Sequence, residues 1–545
     1  MAITSTTTTY GPPALDALAG TITRLKQGDP LRPVSVVVPG NYVGVAARRA
    51  LGRSGLAATT FLTTYRLAEL LGAAAVAATG RRPVSTPVIA GAVRAVLGSE
   101  PGHFTGVEHH PTTERALVRA HRELSEVDES GLRRLATASA RAADVVRIHL
   151  SVTEHLSSRF SSEQDLVRAA IDAVASSPPL LADLGSVIVF LPQHLTSTQA
   201  RLLAAVEARV PIEVIVGLTG DAGADAAVLT SVGRLGLDPM PPEVDAPRAP
   251  HRALGVSDAD DEVRHSVREI VDAARSGVHL GRCAILYGTR EPYARLVTDA
   301  LEAAGIPWFG ASVRTAQSSL VGQSLLALLA LPDHDLARRD VTAWLSSAPI
   351  RGTDNRPAPT AAWERISREA GIMAGRAQWE ERLLRLAEDL EQDATRFEHD
   401  EEQAWRAPAC HRDAERARAL ATFVSRLADD LQPGSRAGTW SGLAAWCRGL
   451  IRRYLGGEVL RQRWPEEERR WAERVEAAID RLGDLDEIDP RPSPAAFRRA
   501  LTLDLENDLG RHGSFGSGVM VGPGGGARGG GGGRGGGGGG GGGGG

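Results

Sequence analysis

The segment from Gly281 to Gly310, GRCAILYGTREPYARLVTDALEAAGIPWFG, constrains the fold more than any other part of the chain. Cys283 to Tyr287 is a short apolar run bounded by Gly281-Arg282 and Gly288, the pattern of a buried parallel strand. Tyr293, Leu296, Val297, Ala300 and Leu301 then recur at helical spacing, so one face of the next segment is apolar while Arg295, Asp299 and Glu302 face water. Gly305 ends that helix. Pro307 biases Ile306 away from helical angles, so Ile306 to Phe309 resumes as an extended segment. Strand, helix and strand make a βαβ unit, which points to an α/β fold and by itself to no function.

The same alternation recurs along the chain. Leu15 to Arg24 is amphipathic, and Val34 to Val38 is a β-branched run that ends at Pro39-Gly40, with a helix opening directly at Asn41. Thr59 to Leu71 reads as strand then helix, Val187 to Gln199 likewise, and Ile212 to Gly217 as a further strand. Residues Val84 to Ala175 carry helical periodicity without evident strands. Gln317 to Leu331 and Arg338 to Leu345 are apolar helices, Trp363 to Leu485 is helical and dense in Arg and Glu, and Pro490 to Leu509 is one more helix. Ser514 to Gly522 returns a strand. Pro241 to Pro250 has the proline content of a linker. After Pro523 the chain is glycine apart from Ala527, Arg528 and Arg534, too poor in apolar side chains to offset its ordering entropy, so this tail is expected to be disordered.

At 545 residues the chain has room for about three or four domains. Its net charge of -4 advertises no overall basic field, although one groove can be basic on an acidic protein. Cys283, Cys410 and Cys447 lack metal-ligand spacing and are too few for a disulfide framework, which fits a reducing cytoplasm. No apolar run approaches the roughly 20 residues of a membrane span, and Met1 to Tyr10 lacks the basic start and apolar core of a signal peptide. The expected location is the bacterial cytoplasm, with no membrane partner. Among abundant arginines there is a single lysine, Lys26, so any chemistry that needs a lysine must use it. Its place near a helix end suits a solvated cation at the negative end of the helix.

Several blocks resemble one family, the superfamily 1 UvrD/Rep helicases and their AddB and RecC relatives, which include proteins with a PD-(D/E)xK nuclease domain. The pattern AILYxTxxxYxxLVxxALEAAGIPWF is similar to the segment that opens their second RecA-like domain. Thr59 to Leu71 is similar to the TFTxxxLAxxLL segment that lies on single-stranded DNA, Val187 to Gln199 to VIVDEFQDTNPxQ, and Ile212 to Gly217 to VxVVGD. ARRDVTAWLSSAPI resembles xxxDVxxLLxSPL, and Ser514 to Gly522 the approach to GLEFDxVxVxGL.

The resemblance implies ATP chemistry at positions that here carry the wrong side chains. Aligned on Val189, Gln193 and Gln199, the magnesium-holding Asp and the water-activating Glu fall on Phe190 and Leu191, and apolar groups neither bind a hard cation nor take a proton. No carboxylate lies between Ser186 and Arg201, so a shift of register does not restore the pair. Leu218 replaces the Asp of the third block, and Gly288 the arginine that touches the terminal phosphate. Pro39 to Arg49, at the place of the P-loop, offers Gly40 and Gly44 but no Lys-Ser/Thr pair.

Other constellations have plainer readings. Thr63, Thr64 and Arg66 are candidates for phosphate contacts, or else the end of a strand and a capped helix. His103, His109 and His110 have no accompanying ligand set and read as a loop. Asp258 to Glu262 reads as the acidic first turn of a helix that Ser257 opens as a capping box with Asp260. Pro332-Asp333-His334-Asp335 has the PD of a nuclease site but no lysine downstream. The tryptophans at 363, 379, 405, 440, 446, 464 and 471 are core anchors or, if exposed, a stacking surface for single strands.

These features together predict an α/β protein of two RecA-like, P-loop-NTPase-type domains with helical insertions and a disordered Gly-rich tail. The first domain is expected over 1–250 with its insertion at about 85–175, the second over 251–333 and 490–522 around an insertion at 334–489, and the tail over 523–545. What the resemblance implies for function is a non-catalytic helicase-like subunit in double-strand break repair and recombination. It would use no cofactor, bind single-stranded or forked DNA and work beside an active helicase-nuclease subunit, with the end of the second domain and a nuclease domain lost by truncation. Two alternatives stand beside it: an ATP-dependent helicase or exonuclease of that family whose activity the sequence conceals and whose nuclease domain is lost by truncation, and a protein-interaction scaffold.

Overall fold

The computed structural model describes residues 3–52, 55–176, 181–240, 252–434, 438–489, 492–507 and 509–524. The linker expected at 241–250 and the glycine tail from 525 onward lie outside the described residues. The chain forms an α/β protein with parallel sheets and a large helical body, and no described helix is long and apolar enough to cross a membrane.

The first sheet has five strands: β1 (Thr4–Thr8), β2 (Val34–Val38), β3 (Thr59–Thr63), β6 (Ser186–Phe190) and β7 (Ile212–Gly217), in the order β1-β7-β6-β2-β3, with every pairing parallel. The continuous Val and Ile runs of β2 and β6 are buried at every position because helices cover both faces. Leu67, Leu71, Val167, Leu202 and Leu203 pack on one face, and Ala14, Leu18, Ala47 and Leu51 on the other. β1 is not legible in the sequence, since five residues of Thr and Ser alternate nothing apolar with polar. It forms anyway, because β-branched residues suit an edge position with one exposed flank.

Between β3 and β6 the chain leaves the sheet through β4 (Arg82–Pro83) and returns through β5 (Phe160–Ser161), which pair with each other as a two-stranded neck. The helices Thr86–Ser99, Pro111–Leu124 and Ala140–Ser157 lie beyond this neck and join the core of the helices between residues 320 and 507. The Thr86–Ser99 helix is apolar on most of its surface, with Val88, Ile89, Val93 and Leu97 buried, and Arg94 pairs with Glu114 at 2.7 Å. Gly91 lies where an added Cβ would sit 2.4 Å from Leu485 Cδ2, so the two helical regions meet at close range. Arg82 closes the neck onto Asp484 at 2.5 Å and Glu487 at 2.8 Å.

The second sheet is β8 (Ala284–Tyr287), β9 (Trp308–Thr315), β10 (Leu509–His512) and β11 (Val519–Pro523), in the order β10-β9-β11-β8. β11 runs parallel to β8 and β9, while β10 is antiparallel to β9. Two expectations are corrected here. The strand expected to be buried at 283–287 is an edge strand with Ala284 and Leu286 exposed, because β11 is its one partner in the sheet. The helix expected to reach Leu509 ends at Asn507, and Leu509 opens β10.

Candidate functional site

All five strands of the first sheet end at the same edge, and there the chain departs in opposite directions: β2 leads to β3 on one side, β6 to β7 on the other. Open α/β sheets bind ligands at such a divergence. A crevice of about 350 Å³ lies at this point, with Asn41, Thr63, Thr64, Gln193, His194 and Gln199 on its walls. Thr63 ends β3 and caps the Thr64–Ala78 helix, its hydroxyl accepting from Arg66 N–H at 3.3 Å. The capping reading of this segment therefore holds at Thr63, which also lines the crevice. Arg66 is exposed and ion-paired with Glu69. Thr196 and Gln199 close a capping box at the start of the Ser197–Glu207 helix, which fixes the loop carrying Gln193 and His194. Gln193 Nε2 also donates to the Tyr10 hydroxyl at 2.9 Å, tying this loop to the end of β1.

The positions at which the resemblance expects catalytic groups are filled by packing. Phe190 is 2% exposed, in a core with Val36, Ala47 and Ile188. Leu191 takes a left-handed backbone, φ 50°, against Gly217, whose added Cβ would meet Leu191 Cδ2 at 2.7 Å. A bulky residue in that region is strained by about 1–2 kcal/mol. Leu218 is fully buried, and the next residue, Thr219, donates its N–H and hydroxyl to Asp225. Gly288, beyond β8, has open space around it.

Of the helix N-termini at this edge, two follow a strand through a glycine, and neither cradles phosphate in the usual way. At the Asn41–Gly52 helix, Gly44 serves close packing, since an added Cβ would lie 3.2 Å from Val38 Cγ2. The second is a strand–glycine–helix unit that sequence reasoning missed: β1 runs through Gly11, φ 89°, into the Pro12–Leu25 helix. Pro12 and Pro13 remove two backbone N–H groups just where a phosphate would need them. Lys26 is at the far end of that helix. Its ammonium donates to the carbonyls of Ala57 at 2.7 Å, Arg32 at 2.8 Å and Pro30 at 3.0 Å, all just before β2 and β3 begin. The expected solvated cation is instead a clamp on the opposite edge of the sheet, about 17 Å away by the length of a five-residue strand.

Beside the crevice, a larger cleft of about 580 Å³ opens between the Thr64–Ala78 helix and the helical body, with Tyr65 and Glu163 shared between the two cavities. Glu163 was not a sequence candidate, because it arrives from the far side of the excursion that begins at residue 82. Withdrawal from water raises its carboxyl pKa, and Glu126 adds to the effect. His121 also lines the cleft, its Nδ1 3.0 Å from His149 Nδ1; burial pushes its pKa down to about 4, with the His149 and Arg122 charges contributing.

The remaining candidates have structural roles. The helix after residue 257 is capped by Asp258, which accepts from Asp261 N–H at 2.9 Å, and Ser257 donates to the Asp261 carboxylate instead of capping. Asp333 pairs with Arg498, and His334 with Asp340 at 2.7 Å. Trp363, Trp379, Trp440, Trp446 and Trp471 are buried and Trp464 partly so, whereas Trp405 is 78% exposed. Among the described residues no group of three or more His, Cys, Asp and Glu is placed to hold a metal ion. No protein-family model matches the chain, and no curated protein matches it either.

Proposed function

We propose that this chain is a non-catalytic, helicase-like subunit of AddB or RecC type, with two RecA-like domains, that holds single-stranded or forked DNA during double-strand break repair while an active helicase-nuclease partner hydrolyses ATP. The observation that carries the reading is the placement of charge around the first sheet. Its ligand edge has Phe190 and Leu191 where a motor needs carboxylates, and the lone lysine is bound to carbonyls at the other edge. What that edge does offer is hydroxyl, amide and imidazole groups from Thr63, Thr64, Gln193 and His194, the kind that positions a phosphate backbone without ATP chemistry.

The purified chain should bind single-stranded or forked DNA with an affinity that falls as salt rises, because phosphate neutralisation releases counterions. It should show no DNA-stimulated ATP turnover. Turnover above background would overturn the reading in favour of a concealed motor. A scaffold role has one observation behind it: Trp405, exposed at the end of the helical hairpin Arg376–Glu398 and Ala407–Asp430 beside Asp400, Glu401 and Glu402. Absence of any salt-sensitive DNA binding would favour that role.

A further inference from the structure

The loop from Gly513 to Gly518 joins β10 to β11 and reaches from the second sheet to the first. Its two ends are pinned on the chain around β9. An added Cβ on Gly513, φ 67°, would lie 2.3 Å from the Trp308 carbonyl oxygen, and one on Gly518, φ 111°, 2.0 Å from that of Pro307, so both places admit glycine alone. Fixed at both ends, the loop presents Phe515 at its apex. The Phe515 ring stacks on Tyr42 of the Asn41–Gly52 helix, with centroids 5.2 Å apart and planes at 21°, and meets Phe309 of β9 edge-on at 5.3 Å. Tyr42 closes the triangle on Phe309 at 6.2 Å. Arg49, on the same helix as Tyr42, lies over the Phe515 ring at 5.3 Å and donates to the Phe515 carbonyl at 2.8 Å.

These rings bridge two bodies whose apolar cores are separate: Val36, Phe190 and Ile215 belong to the core of the first sheet, and Tyr287, Trp308 and Val521 to that of the second. Each sheet has its own pair of connections to the helical body, β4 and β5 for the first, the chain after β9 and before β10 for the second. The loop adds a direct tie between them. A hinged protein closes around a ligand when that ligand touches both halves; here the chain's own side chains make such contacts. We propose that residues 513–518 form a latch that holds the two sheets in one fixed arrangement, with Phe515 taking the place between Tyr42 and Phe309 that a bridging ligand takes in a hinged protein. The two ring contacts of Phe515 and the arginine over its face each favour the closed arrangement, together by a factor of about 10 or more. The latch stands apart from the DNA-holding reading, since it concerns how the two sheets are set and not what they bind.

The test is the distance between the two bodies, read by pulsed electron resonance from spin labels at two exposed positions, Thr23→Cys on the Pro12–Leu25 helix and Asp299→Cys on the Tyr293–Ala303 helix. The partly exposed thiols are removed by Cys283→Ser and Cys410→Ser, and the buried Cys447 stays. This parent should give one narrow distance distribution, unchanged by magnesium and ATP. Phe515→Ala and Tyr42→Ala should each broaden it toward longer distances and raise the open fraction about 10-fold, whereas Phe515→Tyr, which keeps the ring, should match the parent. Arg49 is exposed, so Arg49→Gln leaves the cores intact and should shift the distribution the same way by less, even if a ring variant folds poorly in a circular-dichroism melt. Folded Phe515→Ala and Tyr42→Ala chains with the parent's distribution would overturn the latch, because other contacts would then set the sheets. A parent whose distances are broad, or move when magnesium and ATP are added, would overturn it as well, because the arrangement would then not be fixed by side chains.

Discussion

At the scale of single residues, the positions where the helicase resemblance expects ATP chemistry hold side chains that serve packing. Phe190 fills space beneath β2 and β6, so replacing it by the carboxylate that a motor carries would bury an unpaired charge and leave a void. Phe190→Asp should destabilise the fold by about 4 kcal/mol or more, measured by urea unfolding, and should not create ATP turnover. A loss below about 1 kcal/mol would mean that the site is more open than its burial implies. His121 provides a second test. Its folded-state pKa of about 4 lies below the ordinary value of 6.5, so the neutral form is the one the fold prefers. Above pH 6.5 the residue costs nothing; as pH falls from 6.5 to 4 the unfolded chain takes up the proton first, and up to about 3 kcal/mol of stability is lost. His121→Gln should flatten the stability-pH curve across that window, and an unchanged curve would remove His121 as its cause.

At the scale of elements, close helix packing carries the excursion back to the sheet. Gly72, in the Thr64–Ala78 helix, faces the Glu163–Ser176 helix so closely that a Cβ would lie 2.6 Å from the Leu166 carbonyl oxygen and 2.7 Å from Ala170 N. Both are backbone atoms, so neither can move aside alone. Gly72→Ala should therefore cost about 1–3 kcal/mol in spite of the better helix propensity of alanine, and a gain in melting temperature would sink this account.

At the scale of the whole molecule, the helices between residues 86 and 157 belong by packing to the helical body, although the chain enters and leaves them from the first sheet. Removing them with a short join between β4 and β5 would strip Val88, Val93, Leu97 and Val152 from a core shared with Leu325, Leu485 and Phe497. The expected result is exposure of apolar surface throughout the second helical region, seen as dye binding and rapid proteolysis there. A truncated chain that kept that region protected would show the two helical parts to be independent.

The amino-acid sequence carries the alternation of β-branched runs and amphipathic helices, because burial on both faces writes itself as continuous apolar strands and periodic helices. It likewise fixed the absence of carboxylates at Phe190 and Leu191 and the scarcity of lysine, both matters of composition. Tertiary structure alone decided what depends on partners distant in the chain: that β1, five residues of Thr and Ser, completes the first sheet; that residues 284–287 form an exposed edge; and that Lys26 clamps carbonyls at the wrong edge for phosphate. Glu163 beside Tyr65, and the helices of one insertion inside the core of another, are of the same kind. Periodicity reports which face of an element is buried, and only the packed chain shows what it is buried against.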